Sequence, residues 1–249
     1  MKSNTPLNGC FVIGTDTEVG KTRISAALLH GLAHNGFLSA GFKPVAAGTS
    51  FIDGQWGNDD VRALREASAL VLSDAEVGPF QFEAACAPHI AAALQGLAID
   101  RAAILRSAHT LAARADVLVV EGVGGFCVPL GDDWDSADLA CDLKLPVVLV
   151  VGLRLGCINH ALLTAEAVRA RGLSLAGWVG NSVIPGMPWL DENVTTLQQR
   201  FQKQNIPCWG HVPWLAQPTP AAVFAHLDQA ALRAFFSSVS PSLASSLKT

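Results

Sequence analysis

The sequence predicts an α/β fold: a single, mostly parallel sheet with helices on both faces. Three observations carry this. Short apolar runs alternate with longer amphipathic stretches from one end of the chain to the other, the rhythm of strand–helix–strand units. Half of the residues are hydrophobic and only 15% are charged, against about 25% charged in an average globular protein. Runs such as PVVLVVG at 146–152 are apolar without alternation, as strands covered on both faces must be. A chain of 249 residues can bury a full core without disulfide staples. No Pro/Gly/Ser-rich linker and no internal repeat divides it, so one domain is expected over residues 1–236, with a Ser-rich flexible tail over 237–249.

In order, residues 10–14 (CFVIG) read as a buried strand. Residues 21–35 read as a helix, with Ile24, Leu28 and Leu32 on one face and Gly36 as its stop. Residues 39–46 read as a second strand and 47–58 as a polar loop, longer than most connections and so a candidate functional loop. Helices are expected at 59–72, 88–95 and 100–114, the last capped by Asp100. Strands follow at 116–121 and 146–152, then a helix at 158–171 ended by Gly172. A strand at 175–181, a helix at 190–204, a strand at 206–212 and a helix at 221–236 complete the pattern.

Several classes of function are disfavoured. The net charge is −4 and no basic block occurs, which argues against nucleic acid as a partner, because that binding rests on neutralising phosphates. The densest apolar stretch falls far short of the roughly 20 residues that span a bilayer, and residues 1–9 are polar without an apolar signal region. The six cysteines form no CxxC pair, and several lie in apolar segments. They read as reduced, buried thiols of a cytoplasmic protein rather than as a zinc site. With no tyrosine in the chain, any general acid or base is another residue type.

The chemistry concentrates at Gly14-Thr-Asp-Thr-Glu-Val-Gly20-Lys21-Thr22, which follows a strand and opens a helix. That context marks a phosphate-binding loop. Glycine lets backbone N–H groups converge on an anion, and the helix start adds partial positive charge. Lys21 is placed to neutralise the outer phosphates, and the Thr22 hydroxyl to take a Mg²⁺ position. Five residues separate Gly14 from Gly20, one more than in the common form of the motif. Asp16 and Glu18 are unusual beside a triphosphate and need another task, such as holding a cationic substrate group or a metal-bound water. Thr17 and Glu18 are therefore expected to face a substrate amine.

Ligands of open α/β sheets bind outside the carboxyl ends of the strands, so polar residues there are candidates. Lys43 sits in an apolar run, where a buried lysine needs an anion. It reads as a second phosphate-facing cation, or as a lysine reaching past a sheet edge. Glu121 ends another apolar run; with Asp60 and Thr22 it would suit a Mg²⁺ shell, or it pairs with Lys21 or Lys43. Asp60 by itself, next to Asp59, equally suits a helix cap. Gly156-Cys157-Ile158-Asn159 opens a helix and leaves N–H groups for a carboxylate or for water. His89 and His160 have no ligand spacing and read as structural.

Together GTDTEVGKT, FKPVAAG at 42–48, EGVGG at 121–125, LGCINHALLTA at 155–165 and LAGWVGN at 175–181 resemble the dethiobiotin synthetases of biotin synthesis, over residues 9–215. The longer phosphate loop is the one that family carries. The resemblance implies a P-loop NTPase-like fold and ATP phosphates on Glu18, Val19, Gly20, Lys21, Thr22 and Arg23. It implies Mg²⁺ on Thr22, Asp60 and Glu121, with Gly122, Val123 and Gly124 beside the nucleotide. Lys21 and Lys43 would act on the transferring phosphoryl group. Asn181, Ser182, Pro213, Trp214 and Leu215 would lie towards the adenine. The diamine would meet Thr17, Glu18, Lys43 and Ala47. Its carboxylate would meet Leu155, Gly156, Cys157, Ile158 and Asn159 of a second copy, in a homodimer with substrate at the interface.

The implied reaction closes a urea ring. CO₂ adds to one amine of 7,8-diaminononanoate, ATP phosphorylates the carbamate, and the second amine displaces phosphate to give dethiobiotin and ADP. Two positions depart from the family pattern. Ala47 stands where a hydroxyl residue is often found, so Thr49 or Ser50 compensates or one hydrogen bond is lost. Gln217-Pro218-Thr219-Pro220 replaces a more acidic stretch, which predicts looser base selectivity. Two other readings fit the chain less well. An amide ligase of the cobyrinate type needs a glutamine-hydrolysing domain, for which too little chain remains. A nucleotide-switch ATPase needs an extra lysine early in the loop and, at membranes, a basic amphipathic tail; neither is present.

Overall fold

The structure is a computed structural model that describes residues 7–52 and 54–239. Along the chain the first elements are β1 (Gly9–Gly14), α1 (Lys21–His34), β2 (Ser39–Phe42), β3 (Val45–Ala47), β4 (Ser50–Ile52), β5 (Gln55–Gly57) and α2 (Asp59–Ala67). Next come α3 (Asp74–Val77), β6 (Phe80–Phe82), α4 (Pro88–Leu94), α5 (Arg101–Ala112), β7 (Val117–Glu121), α6 (Ser136–Leu143) and β8 (Val147–Leu153). The chain continues through α7 (Cys157–Ala170), β9 (Leu175–Ser182), α8 (Leu190–Gln202), β10 (Cys208–Val212), α9 (Pro220–Phe224) and α10 (Gln229–Val239).

Six strands form one sheet in the order β10-β9-β8-β1-β7-β2, and every neighbouring pair is parallel. Every residue of β1, β7 and β8 is buried, as unbroken apolar runs between two helical layers require. β1 lies between β7 and β8, so the loop that leaves it emerges beside the carboxyl ends of both. No helix among the described residues is long and apolar enough to cross a membrane.

The expected strand at 39–46 is two strands. Pro44 has no N–H for a ladder, and the Lys43 N–H turns away to the Val77 carbonyl at 2.7 Å. β2 then pairs with β7 in the main sheet, whereas β3 pairs with β6 in a separate parallel ribbon. The expected loop at 47–58 contains the β4–β5 hairpin, whose Phe51 and Trp56 rings lie 5.5 Å apart and are largely exposed. The helix expected to reach 72 stops at Ala67, where the Ser68 hydroxyl bonds back to the Leu64 carbonyl and accepts the Gly41 N–H.

Two short helices went unread in the sequence. α3 opens on a Ser73–Glu76 capping box and α6 on an Asp135–Asp138 one. The last expected helix, 221–236, is broken into α9 and α10. Leu227 bridges to Gly210, and the Asp228 N–H donates to the Trp209 carbonyl at 2.8 Å, so pairing with β10 overrides local helix propensity. α10 runs to Val239, beyond the expected boundary at 236, while positions 240–249 of the expected tail lie outside the described residues. Cys10 and Cys157 are buried thiols as expected, but Cys86 and Cys127 are exposed.

Candidate nucleotide and substrate site

A cleft of about 1230 Å³ opens at the carboxyl ends of β1, β3 and β7. Its floor is the loop between β1 and α1. Gly14 is required there because a Cβ would stand 2.6 Å from the Val19 side chain. Gly20 takes φ 92°, and its ideal Cβ would meet the Asn181 amide at 2.2 Å. Glu18 adopts the left-handed conformation at φ 58°, uncommon for a residue with a side chain. The first turn of α1 has no side-chain cap, so its N–H groups remain available for an anion.

Around this loop the charged residues converge. Lys43 Nζ lies 2.6 Å from Glu121 Oε1, 3.1 Å from Asp60 Oδ2 and 3.1 Å from the Gly122 carbonyl. Thr22 Oγ1 is 2.7 Å from Asp60 Oδ1 and 2.9 Å from Glu121 Oε1. Lys43 is therefore a paired, buried cation and not one reaching past an edge. Burial opposes its charge, but Glu121 and then Asp60 outweigh that and hold its pKa above the usual lysine value. Burial also opposes the Asp60 charge; Lys43, with the Thr22 hydroxyl, overcomes it and lowers the carboxyl pKa. Lys21 Nζ rests on the Asp16 carbonyl at 3.0 Å. Burial first, and then Lys43, push Lys21 down to about 8.

Thr22, Asp60 and Glu121 fit a hard divalent cation. All three offer oxygen, and Glu121 Oε2 is buried with no hydrogen-bond partner. No group of three His, Cys, Asp or Glu able to hold an ion occurs among the described residues. The remaining positions would fall to phosphate oxygens and water, as Mg²⁺ prefers.

The cleft wall brings Thr17, Glu18, Gly20, Lys21, Thr22, Arg23, Lys43, Ala47, Asp60, Val123 and Gly124 together. Val19 lies beneath the loop, where it packs on Gly152, and Glu121 lies wholly buried under the floor. Asn181 and Ser182 end β9 beside the loop. The Asn181 amide donates to the Val19 carbonyl at 2.9 Å, and Ser182 Oγ is 3.0 Å from His211 Nε2. Asn181 is in register with Val212, so Pro213, Trp214 and Leu215 continue from the neighbouring strand end. The start of α7 does not line the cleft. Leu155, Gly156 and Asn159 are exposed, and Cys157 is buried against Asn193.

Sequence reasoning missed part of the wall. Ala85, Cys86 and Ala87, just before α4, and Pro88, its first residue, face the cleft, and Phe126, Cys127 and Val128 face it after Gly125. Ser50 does not stand free for substrate, because its hydroxyl donates to Asp59 at 2.8 Å. The Thr49 hydroxyl is buried without a partner. Asp16 is engaged by Arg154, which leaves Glu18 as the uncommitted loop carboxylate.

Residues 8–222 match a protein family described as AAA domain. The chain is 53% identical over 223 residues to the ATP-dependent dethiobiotin synthetase BioD of Janthinobacterium sp. (strain Marseille), covering 88% of this chain and 93% of that protein. Among solved structures it resembles the MinC:MinD cell division protein complex of Aquifex aeolicus, with a TM-score of 0.54 at 12% identity over 91% of this chain and 95% of the other. It also resembles the cell division ATPase MinD of Pyrococcus furiosus, with a TM-score of 0.50 at 14% identity over 95% and 100% of the two chains. At such identities the likeness is one of fold, that of the P-loop NTPases.

Proposed function

The chain belongs to the family of ATP-dependent dethiobiotin synthetases, and from that premise we propose how its own residues close the ureido ring. It is an ATP-dependent ligase of biotin synthesis. The observation that carries the residue assignment is the cluster of buried Lys43 and Glu121 with the partly exposed Asp60 and Thr22 beside the loop lysine.

The triphosphate lies on the N–H groups of Glu18 to Arg23, with Lys21 at its outer phosphates and Val123 and Gly124 opposite. The nucleoside extends towards Asn181, Ser182 and Pro213 to Leu215. Thr17 and Glu18 hold the cationic end of 7,8-diaminononanoate, and Lys43 and Ala47 line its reacting side. One amine of the substrate adds to CO₂ and loses a proton, giving a carbamate. A carbamate oxygen attacks the γ-phosphorus, and the bond to ADP breaks. The second amine then attacks the carbonyl carbon of the mixed anhydride; phosphate leaves and the five-membered urea closes. Lys21 and Lys43 stabilise the charge spread over the phosphoryl oxygens in transfer. Mg²⁺ held by Thr22, Asp60 and Glu121 would supply further neutralisation of the triphosphate.

The α7 start, from Leu155 to Asn159, lies off the cleft of its own chain, which supports its serving the cleft of a second copy in a homodimer. Its uncapped N–H groups would take the substrate carboxylate there. The setting is the cytoplasm, where ATP is supplied.

Purified protein given ATP, Mg²⁺, bicarbonate and the diamine should yield ADP and a cyclic urea by mass spectrometry. Release of ADP at the same rate without the diamine would overturn this reading in favour of a nucleotide-switch ATPase.

A further inference from the structure

β1 and β8 stay laced together after their ladder ends. Gly14 is the last residue of β1 in register with β8, opposite Val150. The Thr15 N–H donates to the Val150 carbonyl at 3.0 Å. Next, the Gly152 N–H donates to Thr15 Oγ1 at 3.3 Å. Finally, the Arg154 guanidinium grips the Asp16 carboxylate. Val150, Gly152 and Arg154 are spaced two apart, so two successive residues of the loop, Thr15 and Asp16, are pinned through three links by alternate residues of one strand and its exit. The last of these links joins two side chains.

Asp16 passes that grip on in two directions. Its carboxylate also accepts the Thr17 N–H at 2.8 Å, and its carbonyl accepts Lys21 Nζ at 3.0 Å. One residue beyond Arg154 begins the exposed turn into α7, whose Gly156 takes φ 95°. We infer that Arg154 is a positioning residue for ring closure: through Asp16 it fixes the turn that presents Thr17 and Lys21, and it ties that turn to the start of α7. This rests on the proposed reading of Lys21 and Thr17, and it adds a residue that touches neither nucleotide nor diamine.

Stability alone does not account for the arrangement. Both side chains are partly exposed, at 41% for Arg154 and 47% for Asp16, and solvent-screened pairs of that kind contribute little to folding. A displacement of about 1 Å at groups that align reactants costs on the order of 100-fold in rate. The planar guanidinium fork holds a carboxylate in a defined orientation, which an ammonium does not.

The test compares the unmodified protein with Arg154→Gln, Asp16→Asn, the double variant and Arg154→Lys, measuring kcat, KM for ATP and for the diamine, and the thermal midpoint. We expect Arg154→Gln and Asp16→Asn each to lower kcat roughly 10- to 100-fold, with KM values changing less than kcat. Midpoints should stay within a few degrees of the unmodified protein. The double variant should be no slower than the slower single variant, because both break one link. Arg154→Lys should recover part of the loss. A kcat for Arg154→Gln within about twofold of the unmodified protein, or single losses that multiply in the double variant, would overturn the inference. If Arg154→Gln does not fold, Asp16→Asn and Arg154→Lys carry the same comparison. An unmodified protein that forms no ring product overturns the ligase reading instead, and shows itself before any variant is made.

Discussion

Lys43 Nζ lies 2.6 Å from Glu121 Oε1, with both side chains closed off from solvent. A buried ion pair contributes little net stability when intact, but loss of one partner strands the other charge at a cost of about 3–5 kcal/mol. Lys43→Met should therefore lower the unfolding free energy by roughly that amount, and also lower kcat, since in the proposed mechanism the same ammonium serves the phosphoryl group. Urea denaturation and steady-state kinetics check the two effects separately. A variant as stable as the unmodified protein would mean that Glu121 is not held as a buried carboxylate.

Asp60 shares Thr22 and Lys43 with Glu121, and its lowered carboxyl pKa keeps it ionised as an oxygen donor. Asp60→Asn should raise the Mg²⁺ concentration for half-maximal rate by roughly tenfold or more, since a carboxylate is a far better ligand for a hard cation than an amide. Titration of the rate with Mg²⁺ at saturating ATP and diamine reads this directly. An unchanged half-maximal concentration would remove Asp60 from the metal surroundings.

Segment 216–220 carries no acidic side chain, and Thr219 spends its hydroxyl on the Ala222 N–H as the cap of α9. No carboxylate stands there to select among nucleosides. GTP and CTP should therefore support ring closure at rates within about tenfold of ATP, a penalty the size of one lost hydrogen bond. Product formation with each nucleotide at matched concentration is the measurement; strict use of ATP would count against it.

The core strands and the phosphate loop were legible because their signals are local. β1, β7 and β8 are unbroken apolar runs, and Gly20-Lys21-Thr22 opens a helix straight after one of them. Lys43 and Glu121 were legible as charges out of place, and the structure pairs them. What stayed hidden depends on distant partners. The task of Asp16 could not be read because Arg154 lies 138 residues away. The break before α10 answers to Gly210 and Trp209 on another strand. α6 is only eight residues long, and its capping box uses Asp138 where Glu or Gln is the usual sign.

The α3 capping box gives the protein a pH-dependent element. The Ser73 N–H and hydroxyl, with Arg114, hold the Glu76 carboxyl down to about 2 from its usual 4.5. A depressed carboxylate pKa contributes stability that is present above the unfolded value and lost as pH falls through the folded one. The stability difference between the unmodified protein and Glu76→Ala should thus be constant above about pH 5 and shrink as pH falls from 4.5 towards 2. Chemical denaturation across that window tests it. A difference that grows on acidification would carry the wrong sign.

Gly177 in β9 shows how closely the far edge of the sheet is packed. A Cβ there would stand 2.4, 2.6 and 2.7 Å from three atoms of the Trp209 indole. That ring is buried and lies 5.0 Å from Phe235 of α10, so it cannot yield without disturbing the helix behind it. Gly177→Ala should cost about 1–3 kcal/mol, the usual range for overpacking a filled core. Trp209→Ala removes the clashing ring, so adding it to Gly177→Ala should cost less than it does in the unmodified protein. Denaturation of the two single variants and the double variant measures that coupling. Strictly additive losses would show that the two residues do not press on one another, and that β10 has room to shift outward.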